Sequence, residues 1–207
     1  MKKNIFTSLF ILSIGLTFAQ NTQFGLKGGL NIANQHGTGL VKLLDTSPII
    51  SFHVGGFVEI KLSNKCAVQP EILYSLQGSK SSVEIRETAD PYERITNSDI
   101  FFNLSYINIP VLFKYYVIKK LNLEAGPQLG ILVSSKIKQT LTGQPSTVYN
   151  NNSNYKSIDY GINIGAGYDI TDNISTGIRY NLGLCDIDKS TSVTKNNVIS
   201  ISMCYKL

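Results

Sequence analysis

The sequence has few of the residues that usually stabilise or equip small exported proteins. Its 207 residues contain no Trp, three Cys and two His, and 16% of them are charged, against about 25% in typical soluble domains. With 43% hydrophobic residues the chain can bury a core, which excludes a disordered protein. The odd cysteine count excludes a fully paired disulfide framework. The histidines lie apart from other metal ligands, so we expect no metal and no other cofactor.

Long apolar runs are also missing beyond the first twenty residues, which excludes a membrane-spanning helix in the rest of the chain. At the start, Lys2 and Lys3 precede an apolar run that ends at the small residue Ala19. This pattern predicts a secretory signal peptide, residues 1–19, followed by one exported domain, residues 20–207. The leader contains two of the 19 basic residues, so the exported domain is only mildly basic and we expect no nucleic-acid partner.

What the chain does have is an alternation of apolar and polar residues with period two, which predicts β-strands. Eight segments show it, at 24–33, 52–62, 68–78, 107–117, 121–133, 158–170, 174–185 and 198–207. Before the fourth segment, the apolar residues Phe102, Leu104 and Tyr106 are even-numbered, whereas the apolar residues of the segment itself are odd-numbered. This change predicts a β-bulge near Ser105 or Tyr106.

The connections between these segments alternate in length. Short polar turns occupy residues 63–65, 118–120 and 171–173, whereas longer loops occupy 34–48, 79–100, 134–157 and 186–196. In an up-and-down arrangement all short turns then lie at one end, as in outer-membrane proteins with short periplasmic turns. The pattern predicts an all-β fold, an eight-stranded antiparallel up-and-down transmembrane β-barrel of outer-membrane type, preceded by the signal peptide.

The two faces of the predicted strands indicate which side meets lipid. Glycines and charges of both signs crowd the polar face, which suits the narrow lumen of an eight-stranded barrel. We therefore predict a polar network inside the lumen, made of Lys27, Glu59, Glu71, Lys114, Glu124 and Arg179. Aromatic residues on the apolar face cluster near strand ends and predict two interfacial girdles, made of Phe24, Phe52, Phe102, Tyr115, Tyr160, Tyr168, Tyr180 and Tyr205.

Four strings of the sequence resemble the PorT-like outer-membrane β-barrel family of the Bacteroidetes. They are FGLKGGLN at 24–31, FHVGG at 52–56, QPEILYS at 69–75 and YINIPVLFKY at 106–115. The resemblance implies an eight-stranded barrel in the cell outer membrane, and its namesake is an accessory of protein secretion. It brings no catalytic residues with it.

We therefore expect a non-enzymatic outer-membrane barrel with a closed lumen, which acts as a scaffold for surface loops or as an accessory of an envelope or protein-secretion complex. Its expected partners are outer-membrane lipid, the outer-membrane assembly machinery and proteins of such a complex. In the third long loop, Lys136, Lys138 and Lys156 are candidates for contact with anionic lipid head groups or a partner. Two alternatives are a soluble, secreted lipocalin-like carrier of an apolar ligand and a lipid-modifying barrel enzyme.

Overall fold

Nine β-strands follow one another in the computed structural model, which describes residues 21–38, 46–87, 94–141, 145–189 and 193–207. They are β1 (Thr22–Gly37), β2 (Ser47–Lys61), β3 (Cys66–Glu87), β4 (Arg94–Ile118), β5 (Leu121–Leu141), β6 (Thr147–Asn150), β7 (Ile158–Asp169), β8 (Ile174–Gly183) and β9 (Thr194–Lys206). A single 3₁₀ turn, Asn152–Asn154, lies between β6 and β7. No helix in these ranges is long and apolar enough to span a membrane. The predicted signal peptide, residues 1–19, lies outside the described residues.

Eight of the strands close into a ring of antiparallel pairs. Each ring strand pairs with the next one along the chain, and β9 pairs with β1 over residues from Gly25 to Gly37, which closes the ring. Among the residues that the structure describes, the short strand β6 pairs with β5 alone and stands outside the ring. The predicted eight-stranded antiparallel up-and-down barrel is therefore confirmed.

The two ends of the barrel differ as the loop lengths predict, but several strands are longer than predicted. Strand β3 continues to Glu87, β4 begins at Arg94 and β5 continues to Leu141. The predicted loop at 79–100 is therefore wrong over most of its length, and the predicted loop at 134–157 is wrong where β5 and β6 occupy it. We refer below to the short-turn end and the long-loop end.

Apolar side chains cover the outside of the ring and polar side chains fill its inside. On β1, the outward Phe24, Leu26 and Leu30 are 59%, 59% and 58% exposed, whereas Lys27 between them is 5% exposed. The same alternation holds on β9, where Ile201 and Met203 are exposed and Ser202 is buried. Such a continuous apolar exterior is unfavourable in water and needs another solvent.

The predicted bulge is found at the predicted place, but in the neighbouring strand. The β4–β5 register shifts between Ser105 and Tyr106, whose partners on β5 are Ser134 and Leu132. The extra residue is therefore Val133 of β5. The sequence predicts that the side chains of β4 change face at the bulge. This is wrong, because Leu104 and Tyr106 are buried on the same inner face as Asn108.

Small residues on the inner face make room for large ones, because the ring is narrow. At Gly25 a Cβ atom would collide with the ring of Phe57, which is buried on β2. Gly78 has a backbone φ of +139°, a conformation that residues with a side chain rarely adopt.

Candidate functional site

The centre of the lumen holds a cluster of charged side chains around Glu71. Arg179 on β8 donates from Nη1 and Nη2 to the two oxygens of Glu71 on β3, at 2.9 and 3.0 Å, and from Nε to Glu124 on β5 at 2.7 Å. Lys27 Nζ lies 3.1 Å from Glu71 Oε1, and Gln69 Nε2 donates to the same oxygen at 2.6 Å. Four different strands are therefore tied together across the barrel axis.

A second cluster lies nearer the short-turn end, around Glu59 on β2. Lys114 Nζ and the hydroxyl of Tyr116, both on β4, each donate to Glu59 at 2.9 Å. Lys206 Nζ lies 3.9 Å from Glu59 and 3.1 Å from Asp169 at the end of β7. This cluster therefore links β2, β4, β7 and β9.

The two clusters are balanced in charge, with four cations against four carboxylates. The structure brings together the six residues that the sequence indicates for the lumen, and adds Lys206 and Asp169. Lys206 has the same parity as Ser202 on β9, so the alternation alone places it inside. Buried ions of both signs need such pairing, because an unpaired charge away from water is costly.

Above the ion clusters, toward the long-loop end, the lumen is filled by amides, hydroxyls and one imidazole. His53 Nδ1 lies 2.8 Å from Asn31 Oδ1, and His53 Nε2 lies 3.1 Å from Ser202 Oγ. Asn31 Nδ2 donates to Ser75 Oγ at 3.0 Å. A cavity at this level measures about 20 Å³, which holds about one water molecule.

The long-loop end of the lumen is capped by apolar side chains. Tyr155, from the loop before β7, and Ile187, from the loop after β8, pack with Leu104, Tyr106 and Cys185. Ile187 is fully buried, and burial raises the pKa of Tyr155 to about 12. The cap was not predicted, because neither loop segment has a periodic pattern that points to the barrel mouth.

Beyond the apolar exterior, three ring strands continue together with β6 as what we call the projecting sheet. It comprises residues 80–87 of β3, 94–103 of β4, 134–141 of β5 and the strand β6. Its outward residues include Lys80, Asp99, Asn103, Lys136 and Lys138, of which Lys80 Nζ and Asp99 Oδ2 are paired at 2.9 Å. A polar outward face shows that this part of the sheet meets water.

Phe102 does not lie on the outward face, so its assignment to an aromatic girdle is wrong. Its parity is that of the buried Leu104, and its side chain lines a cavity of about 490 Å³ with Ile137, Tyr155 and Lys189. The other aromatic residues of the predicted girdles are exposed on the outside: Phe24, Phe52, Tyr115, Tyr160, Tyr168, Tyr180 and Tyr205.

The described residues contain no group of three or more His, Cys, Asp or Glu side chains that is arranged to hold a metal ion. The three cysteines, Cys66, Cys185 and Cys204, are free thiols.

The charged interior of the barrel is the opposite of what a carrier of apolar ligands needs. The alternative of a soluble lipocalin-like carrier is therefore wrong.

Solved structures of outer-membrane barrels are similar to this chain in fold. Ail, the attachment invasion locus protein of Yersinia pestis, matches with a TM-score of 0.50 at 10% identity, over 90% of this chain and 99% of Ail. Neisserial surface protein A matches with a TM-score of 0.50 at 11% identity, over 89% of this chain and 97% of that protein. At these identities the likeness shows the fold alone.

Comparison with family models agrees with the geometry of the barrel. None of the curated proteins matches the chain. The model for the outer membrane protein beta-barrel domain matches residues 18–189, which is most of the chain. The apolar exterior then faces lipid, and the charged lumen is sealed inside it. The chain belongs to the family of outer membrane protein beta-barrel domains and is located in the cell outer membrane.

Proposed function

We propose that this protein is a non-enzymatic scaffold whose closed barrel holds the projecting sheet outside the outer membrane. The observation that carries the proposal is the continuation of β3, β4 and β5 as paired strands beyond the apolar exterior. Regular strands hold side chains in fixed positions, which an irregular loop does not do, and functional residues commonly sit on such rigid supports.

The filled lumen supports a scaffold rather than a pore. The side chains of Glu71 and Glu59 are fully buried within their ion clusters, and the apolar cap around Ile187 covers the long-loop end. A solute would have to break several buried ion pairs at once in order to pass. Interiors of eight-stranded barrels are just wide enough for side chains.

The projecting sheet offers two features for recognition of another protein. Lys136 and Lys138 are exposed on its outward face and have no carboxylate partner among the described residues. Within the described part of the chain, strand β6 has a neighbour on one side only, so its second edge is available to pair with an extended segment of a partner, a common mode of recognition. An accessory role in an envelope or secretion complex is the form of this function that we propose.

Two measurements test this proposal. In planar lipid bilayers the purified protein should give no stable channels, and steady porin-like conductance would contradict the closed lumen. In cells, a photo-crosslinking residue at position 138 should give a defined protein adduct, while the same residue at position 119, in a short turn, should not give that adduct. Equal labelling of both positions, or no adduct at 138, would contradict the scaffold role.

The absence of catalysis is part of the proposal and has its own test. Purified protein in mixed micelles with phospholipid should release no fatty acid or head group. Turnover that disappears on mutation of one residue of the lumen or loops would instead favour the lipid-modifying enzyme.

A further inference from the structure

A groove lies on the lipid-facing surface of the barrel, where β1, β2, β3 and β4 pass side by side. Its volume is about 500 Å³, and its walls include Phe24, Gly56, Val58, Pro70, Ile72 and Ile109. This volume is in the range of about 300–1,000 Å³ that small-molecule sites occupy. The walls are apolar, which suits a hydrocarbon chain.

The groove exists because Gly56 has no side chain at an outward position. The neighbouring outward residues on β2 are Val54 and Val58, and Gly56 pairs with Leu26 and Ile72 on the adjacent strands. A Cβ atom at Gly56 would meet only the carbonyl oxygen of Gly25, at an ordinary distance of 3.5 Å. No clash therefore requires a glycine here, unlike at the crowded inward glycines.

Positive charge lies at the end of the barrel toward which the groove leads. Lys65, Lys119 and Lys120 are exposed at the β2–β3 and β4–β5 turns, and we call them the lysine rim. The backbone N–H of Tyr116 donates to the carbonyl of Lys65 at 2.7 Å, which joins the β2–β3 turn to the end of β4. None of the three has a carboxylate partner among the described residues.

The spacing between the groove and the lysine rim fits one lipid molecule. Leu62 and Lys65 are the two ends of the β2–β3 turn. Val58 lies four residues before Leu62, and Pro70 lies five residues after Lys65. At about 3.3 Å per residue this is roughly 13–17 Å along the strands, close to the thickness of one leaflet, which is half of about 30 Å. A chain in the groove would therefore have its head group at the rim.

We propose that the groove binds an acyl chain of an anionic glycerophospholipid of the periplasmic leaflet, and that the lysine rim holds the lipid phosphate. Short turns face the periplasm in outer-membrane barrels, so this end meets the inner leaflet. Basic side chains at such a boundary attract anionic head groups. The site is independent of the projecting sheet, which lies at the opposite end.

The test measures retention of lipid by the full mature protein in detergent. Palmitoyl-oleoyl phosphatidylglycerol and palmitoyl-oleoyl phosphatidylcholine are added in turn, and native mass spectrometry counts bound lipid. Wild type should retain one phosphatidylglycerol. Gly56→Leu fills the groove and should weaken retention at least tenfold. Gly56→Val also fills the groove, and valine has a high strand propensity. This variant replaces Gly56→Leu in the test if the leucine variant folds poorly.

Gly28→Leu is the matched control. Gly28 is also outward and has open space for a Cβ, with the nearest atom, His53 O, 3.8 Å away, but it does not line the groove. This variant should retain lipid as wild type does. Gly56 and Gly28 variants that bind phosphatidylglycerol equally well would overturn the site.

The head group and a rival occupant are tested separately. Lys65→Gln combined with Lys119→Gln should reduce retention of phosphatidylglycerol to the level of phosphatidylcholine, and an unchanged preference would overturn the role of the rim. A second copy of the chain is the other apolar occupant. A cross-linked dimer in bilayers that Gly56→Leu abolishes, with lipid retention unchanged, would overturn the lipid proposal.

Discussion

Arg179 and Glu71 face each other across the barrel axis and form a bidentate ion pair, with two hydrogen bonds of 2.9 and 3.0 Å. They belong to β8 and β3, which are not neighbours in the ring. The planar guanidinium matches the carboxylate geometry in a way that a lysine could not. This pair therefore connects two opposite walls of the barrel through the lumen.

We predict that Arg179→Met strongly destabilises the barrel. The change leaves Glu71 with Lys27, and Glu124 with Lys27 and Lys114, as nearby cations, and breaking a buried ion pair by removing one partner costs about 3–5 kcal/mol. Urea unfolding in detergent micelles, followed by gel mobility with and without heating, measures the loss. Lys189→Met, at an exposed loop position, is the control and should change stability little.

The double variant Arg179→Met with Glu71→Gln should recover part of that loss, because it removes one charge of each sign. A double variant that is as unstable as the sum of the two single variants would contradict the pairing.

The apolar cap gives a second prediction. Ile187→Ala removes a fully buried side chain from the cluster with Tyr155 and Leu104, and such truncations cost about 2–5 kcal/mol. The N–H of Lys156 donates to the carbonyl of Ile187, so its hydrogen exchange should accelerate by one to three orders of magnitude. Amides at the centre of β8 should exchange as in wild type.

The loop after β8 should respond to acid through Asp186. Although partial burial works in the opposite direction, hydrogen bonds from the N–H groups of Thr194 and Asp188 and the Lys156 ammonium hold the pKa of Asp186 below its usual value. A carboxylate with a lowered pKa stabilises the folded loop at pH above its unfolded pKa. That contribution is lost as pH falls through the lowered value.

Protection of the Thr194 amide from exchange, measured against an unstructured amide at the same pH, should therefore fall at acidic pH, below the usual titration range of aspartate. Asp186→Asn should lower this protection at neutral pH and remove its further loss in acid. A pH profile that is the same in the variant and in wild type would contradict the role of Asp186.

How much was predictable from sequence depends on whether the two faces of a strand meet different solvents. Along β1 and β9, polar Lys27 and Ser202 alternate with apolar Leu26 and Ile201, because one face meets lipid and the other the lumen. The ring, its turns and the inward position of the ionic residues follow from that alternation.

The alternation does not predict the projecting sheet, for the same reason. Beyond Lys80 on β3 and Lys136 on β5 the outward face meets water, so the contrast between faces disappears although the strands continue. The alternation predicts the wrong side for Phe102, because this apolar ring lies on the inner face, above the charged lumen. The cap of Tyr155 and Ile187 depends on contacts between distant loops, which no local pattern encodes.

Removal of the leader is a prediction from sequence alone. Cleavage after Ala19 should leave a mature chain that begins at Gln20, and intact-mass measurement of protein purified from outer membranes checks this. A mass that includes residues 1–19 would contradict the assignment of a signal peptide.

The orientation of the barrel wall is tested most directly with spin labels at Ile178 and Ile201. These residues are register partners on β8 and β9 and are 54% and 52% exposed. In lipid bilayers, each single label should collide frequently with oxygen and rarely with a water-soluble nickel complex, whereas a label at Lys138 should show the reverse. Nickel-accessible or protein-buried labels at 178 and 201 would contradict a wall that faces lipid.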